Sequence, residues 1–102
     1  MKLYKFTAVF TPDEEDKDAF NVSVPALPEI CTFGDSIEEA RFMAQDALEL
    51  DVLSRLEEGE EIPQDCMPEK VSKGAIVEEI LVSVAHEVSS TPLTPDVKAA
   101  FA

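Results

Sequence analysis

The sequence has few basic residues and no tryptophan. The shortage of basic residues limits the kinds of molecule that the protein is expected to bind. Only 8 lysines and arginines stand against 22 aspartates and glutamates, which gives the 102-residue chain a net charge of −14. Such a surface repels phosphate backbones, so direct nucleic-acid binding by a single subunit is disfavoured. It attracts basic partners and steers their approach. The alternative interpretation is that the acidity simply keeps the protein soluble.

Histidine, cysteine and long apolar runs are also scarce. One histidine, His86, and two distant cysteines, Cys31 and Cys66, do not have the spacing of a zinc site, and we predict no metal and no cofactor. The first residues show no apolar signal-peptide core, and no run approaches the roughly 18 apolar residues of a membrane helix. We therefore expect two ordinary thiols in a cytoplasmic protein that has no membrane contact.

Catalytic patterns are missing as well. The sequence has neither a P-loop nor a dinucleotide-binding fingerprint, and His86 is expected to be an ordinary surface residue. Glu38 and Glu39 are adjacent, so their side chains diverge on a helix and cannot work as a pair. Residues 13–16 are acidic but lack the glycine and the ligand spacing of an EF-hand. A nucleophilic Cys31 would need a positioned base. We predict that the protein is not an enzyme.

Alternating apolar residues predict the strands. A first strand at residues 3–10 and a second at residues 20–24 flank a polar, acidic hairpin loop, and a short third strand covers residues 30–33. A last strand is predicted at residues 75–85. The inward face of the first strand carries Tyr4, Phe6, Ala8 and Phe10.

A long helix is predicted from Ile37 to Glu58, directly after a tight turn at Gly34. Ser36 and Glu39 have the spacing of a capping box, in which the serine hydroxyl accepts from the Glu39 N–H and the glutamate returns a bond to the Ser36 N–H. Asp35 is an alternative cap one residue earlier. Gly59 should end the helix, and a narrow apolar stripe should face the sheet. That stripe comprises Ile37, Ala40, Ala44, Ala47 and Leu48.

Phe42, Leu53 and Leu56 fall on a different side of this helix, more than a quarter-turn from the main stripe. A helix that packs on one sheet needs only one apolar face. The second stripe is therefore either an extension of the core over a loop or a contact surface for another chain.

The outward face of the sheet is also partly apolar. The predicted strands place Leu3, Val9, Val77 and Leu81 on it. We expect a partner or the C-terminal tail to cover these residues, and they are candidates for self-association.

The order β-β-β-α-β predicts an α+β domain in which an antiparallel meander is covered on one face by the helix. The last strand joins the sheet after the helix crosses back, with a right-handed crossover if it pairs parallel. The domain should span residues 1–86. Residues 87–102 would form a short extension, in which Thr94 and Pro95 could start one or two helical turns.

The order and spacing of several motifs resemble the HicB-like antitoxin family. These motifs are Tyr4 and Phe20 in the first two strands, Val22 leading to Pro25-Ala-Leu-Pro28, Gly34-Asp35-Ser36, Glu38-Glu39-Ala40, and a long helix that closes near Ile62-Pro63. The resemblance covers roughly residues 1–85. Two features depart from the family: Glu29 stands where a glycine is usual, and the hairpin loop is longer and more acidic.

The resemblance implies a domain like an incomplete ribonuclease H fold without its catalytic carboxylates. In this family the domain binds and neutralises a small basic HicA-like toxin, a ribonuclease of the double-stranded-RNA-binding-domain type, and it often dimerises. Many members continue into a DNA-binding module. The roughly sixteen residues after the last strand here are too few for a helix-turn-helix, so direct DNA binding is not expected.

Charge and resemblance together suggest a mechanism. Carboxylates would occupy the phosphate sites of a basic RNA-binding groove and so block its substrate. The sequence offers three groups of candidate contact residues for this partner. They are the acidic loop of Asp13, Glu14, Glu15 and Asp16, the apolar residues Phe42, Leu53 and Leu56, and the acidic helix end with Glu57 and Glu58. The alternative is an orphan domain that associates only with itself.

Overall fold

The computed structural model describes residues 2–84, which form four strands and one helix in the predicted order. The elements are β1 (Lys2–Pro12), β2 (Phe20–Ser23), β3 (Cys31–Gly34), α1 (Ile37–Glu57) and β4 (Ile76–Val84). The predicted α+β class is confirmed. His86 and the predicted extension at residues 87–102 lie outside the described residues.

The strands form one antiparallel sheet in the order β3-β2-β1-β4. The predicted meander of the first three strands is confirmed. β4 pairs antiparallel along almost the whole of β1, from Lys2 opposite Val84 to Phe10 opposite Ile76. The parallel alternative, with its right-handed crossover, is therefore not realised.

The core lies between the sheet and α1. Phe6, Ala8 and Phe10 of β1 are buried as the alternation predicts, together with Val22 from β2 and Val82 from β4. The helix contributes four completely buried residues, Ala40, Ala44, Leu48 and Val52, with Ile37 and Ala47 packed beside them. The predicted stripe omitted Val52, which extends it by one turn.

The helix begins at a capping box whose second bond differs from the prediction. Ser36 is the N-cap, and its hydroxyl accepts from the Glu39 N–H at 3.1 Å. The Glu39 carboxylate accepts from the N–H of Asp35 at 2.6 Å, one residue before the predicted partner. Ser36, in extended backbone conformation, turns the chain so that the Asp35 N–H is the donor that faces the first helical turn.

Gly34 ends β3 directly against the start of the helix. A Cβ atom at this position would lie 2.3 Å from the backbone nitrogen of Ala40 and 2.5 Å from its Cα. The glycine is therefore required by close backbone approach.

The helix ends as predicted, at a glycine in the left-handed conformation. Gly59 has a φ of 75°, its N–H donates to the Leu56 carbonyl, and the Glu60 N–H donates to the Arg55 carbonyl. These two bonds define a Schellman motif with Glu58 as C-cap, which places the last helical residue at Glu57, one residue before the predicted end.

The α1–β4 connection (residues 58–75) covers part of the outward sheet face. Asp65 accepts two hydrogen bonds from Thr7, and Met67 lies against the Thr7 hydroxyl. Residues 6–10 of β1 are consequently buried on both faces. Val9 was predicted to lie on a self-association surface, but it is only 6% exposed and is therefore not available to a second chain.

Candidate protein-binding surfaces

The acidic hairpin loop lies at the same end of the sheet as the start of α1. Pro12 is opposite Phe20, and Phe20 is opposite Gly34, so the loop and the helix N-terminus are neighbours. We call this end, with its loop and first helical turn, the hairpin end. Its acidic residues are Asp13, Glu14, Glu15, Asp16, Asp18, Asp35, Glu38 and Glu39.

Asp13 has a structural task within this loop. Its carboxylate accepts from the N–H groups of Glu15 and Asp16 and from the side-chain amide of Asn21. Such a turn explains why an acidic residue follows the strand. Glu14 and Glu15 are exposed, and among the described residues their carboxylates have no ion-pair or hydrogen-bond partner. These two side chains are therefore the ones available to an external cation.

The second acidic group lies at the other end of the molecule, around Arg55. This guanidinium contacts Glu29 at 2.6 Å, Asp51 at 2.7 Å and Glu60 at 3.7 Å. Hydrogen bonds with Asp51 and Arg55 lower the pKa of Glu29 to about 2, whereas burial and the hydrogen bond with Glu29 raise the pKa of Asp51. Glu29, which departs from the family pattern, thus ties the β2–β3 connection to the last turns of α1.

Glu57 and Glu58 project from the same helix end and are exposed, without ion-pair partners among residues 2–84. The 21-residue helix spans about 30 Å at 1.5 Å per residue. The two acidic groups predicted to contact one partner therefore lie at opposite ends of α1. A partner that touches both must lie along the helix.

The second apolar stripe of the helix is divided. Leu53 and Leu56 are half-buried and pack against the core, together with Ile62 of the α1–β4 connection. Phe42 is 68% exposed. For the two leucines the structure therefore supports a core extension over a loop, and Phe42 is the member that is exposed on the surface.

Phe42 lies beside β4 and forms part of the wall of a shallow groove. The other residues that line this groove are Arg41, Gln45, Glu79, Ile80 and Leu81. The helix and the strand are joined across this groove by a two-pronged ion pair, in which Arg41 donates to both carboxylate oxygens of Glu78 at 2.9 and 2.6 Å. This pairing lowers the pKa of Glu78. Phe42 was predicted to bind a partner and Leu81 to take part in self-association. The structure places both residues at the same groove.

Three of the four predicted self-association residues are exposed on the outward sheet face. Leu3 and Leu81 are about two-thirds exposed, and Val77 is 37% exposed. Lys5 lies opposite Leu81 in the register and forms a 3.9 Å ion pair with Glu79. These three exposed apolar residues lie on the β1–β4 side of the outward face, and a fourth, Phe33, lies on β3 at the other side of the sheet.

The sequence analysis did not identify four exposed apolar side chains. Phe33 lies on β3, Leu50 lies on the outward face of α1, and Met67 and Val71 lie on the α1–β4 connection. Leu50 is outside both apolar stripes of the helix, which could have marked it as unusual. No pattern identified Met67 and Val71, because the connection has no regular period.

Other kinds of site are not evident within the described residues. Residues 2–84 bring no three histidine, cysteine, aspartate or glutamate side chains into a group that could hold a metal ion. In the same part of the chain, no helix is both long enough and apolar enough to cross a membrane. Cys31 and Cys66 are exposed free thiols.

Comparison with solved structures supports the fold. The N-terminal domain of the antitoxin HicB from Burkholderia pseudomallei is 24% identical, with a TM-score of 0.61 over 81% of this chain and 100% of that one. The B. pseudomallei antitoxin HicB itself is 22% identical, with a TM-score of 0.65 over 95% and 82% of the two chains. A chain of a toxin–antitoxin complex from Streptococcus pneumoniae is 19% identical, with a TM-score of 0.68 over 97% and 88%.

The sequence itself matches a protein family. No curated protein is significantly similar over the chain. Residues 5–88, however, match the family described as the HicB_like antitoxin of bacterial toxin-antitoxin systems. That match runs from the fourth residue of β1 to beyond the end of β4. The chain belongs to the HicB-like antitoxin family.

Proposed function

We propose that this antitoxin-family protein binds a small basic ribonuclease toxin of the HicA type and neutralises it by covering its RNA-binding surface. The observation that carries the proposal is the charge of the hairpin end. Eight acidic residues lie in its loop and first helical turn, where Lys17 is the only basic residue. One chain of the solved toxin–antitoxin complex from S. pneumoniae has the same fold, which supports the proposal that the partner is a protein.

The mechanism is competition for phosphate-binding positions. A ribonuclease that grips RNA must present lysine and arginine side chains to the backbone. Exposed carboxylates such as Glu14 and Glu15 can occupy those positions, and the long-range field of a −14 chain raises the association rate. Exposed Phe42 would supply an apolar anchor nearer the middle of the helix.

The two acidic ends can be tested separately, because about 30 Å of helix lies between them. One variant neutralises the loop (E14Q/E15Q/D18N), and a matched variant neutralises the helix end (E57Q/E58Q/E61Q). Both remove three charges from exposed positions. The probe is a small basic protein of the HicA type, sought first in the neighbouring gene, with binding measured by calorimetry from 50 to 400 mM salt.

We expect the loop variant to bind at least ten-fold more weakly and to show a flatter salt dependence, with little change for the helix-end variant. The reverse order would assign the contact to the Arg55 end and contradict the proposal for the hairpin end. Equal affinities for both variants and the wild type would contradict the electrostatic mechanism itself.

A second candidate function is an orphan regulatory or structural domain whose partner is another copy of itself. The exposed apolar residues Leu3, Val77 and Leu81 favour it, because all three lie on the outward face of β1 and β4, where a second copy could cover them. Light scattering of the protein alone, and mixed with that basic protein, separates the two. A stable homo-oligomer that ignores the basic protein would support the orphan domain over the antitoxin.

A further inference from the structure

A small depression lies on the surface of α1 near the middle of the helix. It has a volume of about 190 Å³, and its wall consists of Phe42, Gln45, Asp46 and Glu49. The spacing of these residues, i, i+3, i+4 and i+7, places them on one face of a helix. We call this depression the Phe42 site. It shares Phe42 and Gln45 with the shallow groove beside β4.

The apolar part of the wall is an aromatic ring. The Phe42 side chain is 68% exposed, so the ring is not a core residue and its surface is accessible to a ligand. An aromatic ring has a negative face, which attracts cations, and arginine is the side chain that most often occupies such a position. The ring therefore favours a cationic ligand over a neutral polar one.

The polar part of the wall consists of acceptors. Asp46 and Glu49 contribute carboxylates, and within residues 2–84 neither forms an ion pair. Gln45 has the only side-chain N–H group of the wall, and its amide nitrogen donates to the Leu81 carbonyl at 3.3 Å. Its carbonyl oxygen remains an acceptor. Such a wall suits a ligand that carries several hydrogen-bond donors.

The basic residues of the helix are bound elsewhere. Arg41, directly before Phe42, donates to both carboxylate oxygens of Glu78 at 2.9 and 2.6 Å. Arg55, the other basic residue of α1, contacts Glu29 at 2.6 Å and is far along the helix. Neither guanidinium neutralises the carboxylates of the Phe42 site, which leaves their charge for an external cation.

The combination of a ring and two carboxylates distinguishes among cations. A guanidinium is planar, stacks on an aromatic face and donates along its edge to carboxylates. An ammonium is a compact, strongly hydrated point charge, which gains less from the ring. A metal ion would need further ligands, and the described part of the chain contains no metal-binding group of three residues. The wall therefore fits an arginine side chain best.

We propose that the Phe42 site binds an arginine side chain of a basic protein partner. The guanidinium stacks on the Phe42 ring and donates to the carboxylates of Asp46 and Glu49, with the Gln45 carbonyl as a further acceptor. The identity of this partner as a toxin rests on the proposed function, but the site itself does not. It is separate from the acidic loop at residues 13–16, which has no aromatic residue.

The test uses two small probes that carry one positive charge each, N-acetyl-argininamide and N-acetyl-lysinamide. NMR titration of the full chain at constant ionic strength follows the Phe42 ring and the side-chain carboxyl groups. We expect the arginine probe to shift the signals of Phe42, Asp46 and Glu49. Its affinity should exceed that of the lysine probe by about two- to five-fold, the strength of an exposed cation–π contact.

Two variants divide the ring from the charges. Phe42→Leu keeps both carboxylates and should remove the preference for the arginine probe. D46N/E49Q keeps the ring and should weaken both probes by about five-fold, because two exposed ion pairs are lost. The loop variant E14Q/E15Q/D18N is the control and should leave both titrations unchanged.

Three results would overturn the proposal. The first is equal affinity of the wild type for the two probes, and the second is a set of shifts confined to the acidic loop. The third is a nuclear Overhauser contact between the Phe42 ring and residues 85–102 in the protein without a probe, because the chain would then fill its own site.

The Phe42 site and the proposed toxin-binding function can fail separately. Calorimetry with a small basic protein of the HicA type compares the wild type, F42L and D46N/E49Q. Equal binding of all three would overturn the role of the site in partner binding and leave the proposed function intact. Binding of the arginine probe without binding of any HicA-type protein would support the site and contradict the proposed function.

Discussion

The carboxylate of Asp65 accepts both polar hydrogens of Thr7, the backbone N–H at 2.8 Å and the hydroxyl at 2.7 Å, across 58 residues of sequence. Thr7 is on the central strand at a place that β2 does not reach. The β1–β2 register, continued by two residues, would set Pro25 opposite Thr7, but β2 ends at Ser23. Asp65 thus replaces the missing strand and anchors the α1–β4 connection to the sheet.

Asp65→Ala should lower the free energy of unfolding by about 1–3 kcal/mol, because it leaves a buried N–H of Thr7 without a partner. Asp65→Asn keeps one acceptor oxygen and should cost less. Glu69→Ala, an exposed change in the same connection, is the control and should have little effect. Urea unfolding measures all three, and equal stability of D65A and E69A would contradict the anchoring role.

Gly34→Ala and Gly59→Ala should destabilise the protein for different reasons. A Cβ at residue 34 overlaps the backbone of Ala40, and we expect a loss of about 1–3 kcal/mol as the helix start is displaced. At residue 59 there is free space, but φ is positive, which costs about 1–2 kcal/mol for a residue with a side chain. Amide chemical shifts should change at Ala40 only in G34A. A G34A variant with wild-type stability and shifts would contradict the close approach.

The stability contributed by Glu29 should depend on pH below neutrality. Its pKa is lowered from 4.5 to about 2 by hydrogen bonds with Asp51 and Arg55. A carboxylate with a lowered pKa stabilises the fold fully above pH 4.5 and loses this effect as pH falls toward 2. The difference in unfolding free energy between wild type and Glu29→Gln should therefore shrink over that range.

The effect should be small, because Glu29 is half-exposed and solvent screens the pair. Carboxyl NMR titration provides a direct check, with Glu29 expected to titrate well below Asp51, whose pKa is raised. Glu57→Gln, at an exposed position, is the control. A Glu29 midpoint near 4.5 would show that the ion-pair cluster does not hold in solution.

Substitutions at Leu53 and Phe42 should have different effects on the stability of the fold. Leu53→Ala removes a half-buried side chain that packs against the core and should cost about 1–2 kcal/mol, below the range for a fully buried leucine. Phe42→Ala should change stability by less than about 0.5 kcal/mol, because the ring is exposed. Thermal unfolding measures both variants. A larger loss of stability for F42A than for L53A would contradict the conclusion that Leu53 belongs to the core and Phe42 to the surface.

Local patterns predicted much of this fold, because they depend on short-range geometry. The alternation in residues 3–10 identified the inward face of β1, and the spacing of Ser36 and Glu39 predicted the cap that the structure has, although Asp35 was an alternative one residue earlier. Gly59 marked the helix end because left-handed backbone favours glycine. The error at the second capping bond was one residue, Asp35 in place of Ser36, and arose from the dihedral angles of the turn.

The candidate surfaces were less predictable, because their residues are distant in the chain. Leu81 and Phe42 were placed on different surfaces, and only the packing of α1 on β4 made them neighbours. The acidic loop and the helix end were assigned to one partner, yet the direction of the helix puts them at opposite ends. Nothing in the sequence near Val9 indicated that its outward-facing side chain would be buried.

By itself, the sequence determined the order of elements, the cap, the helix end, the inward faces and the family, since each of these follows from neighbouring residues or from a recognisable series of motifs. The tertiary structure decided the antiparallel pairing of β4 with β1, the bond between Asp65 and Thr7, and the ion pairs that join Glu78 to Arg41 and Glu79 to Lys5. These depend on which segments meet after the chain has crossed the sheet. Contacts of that kind are set by the packing of the whole domain, and no short stretch of sequence contains them.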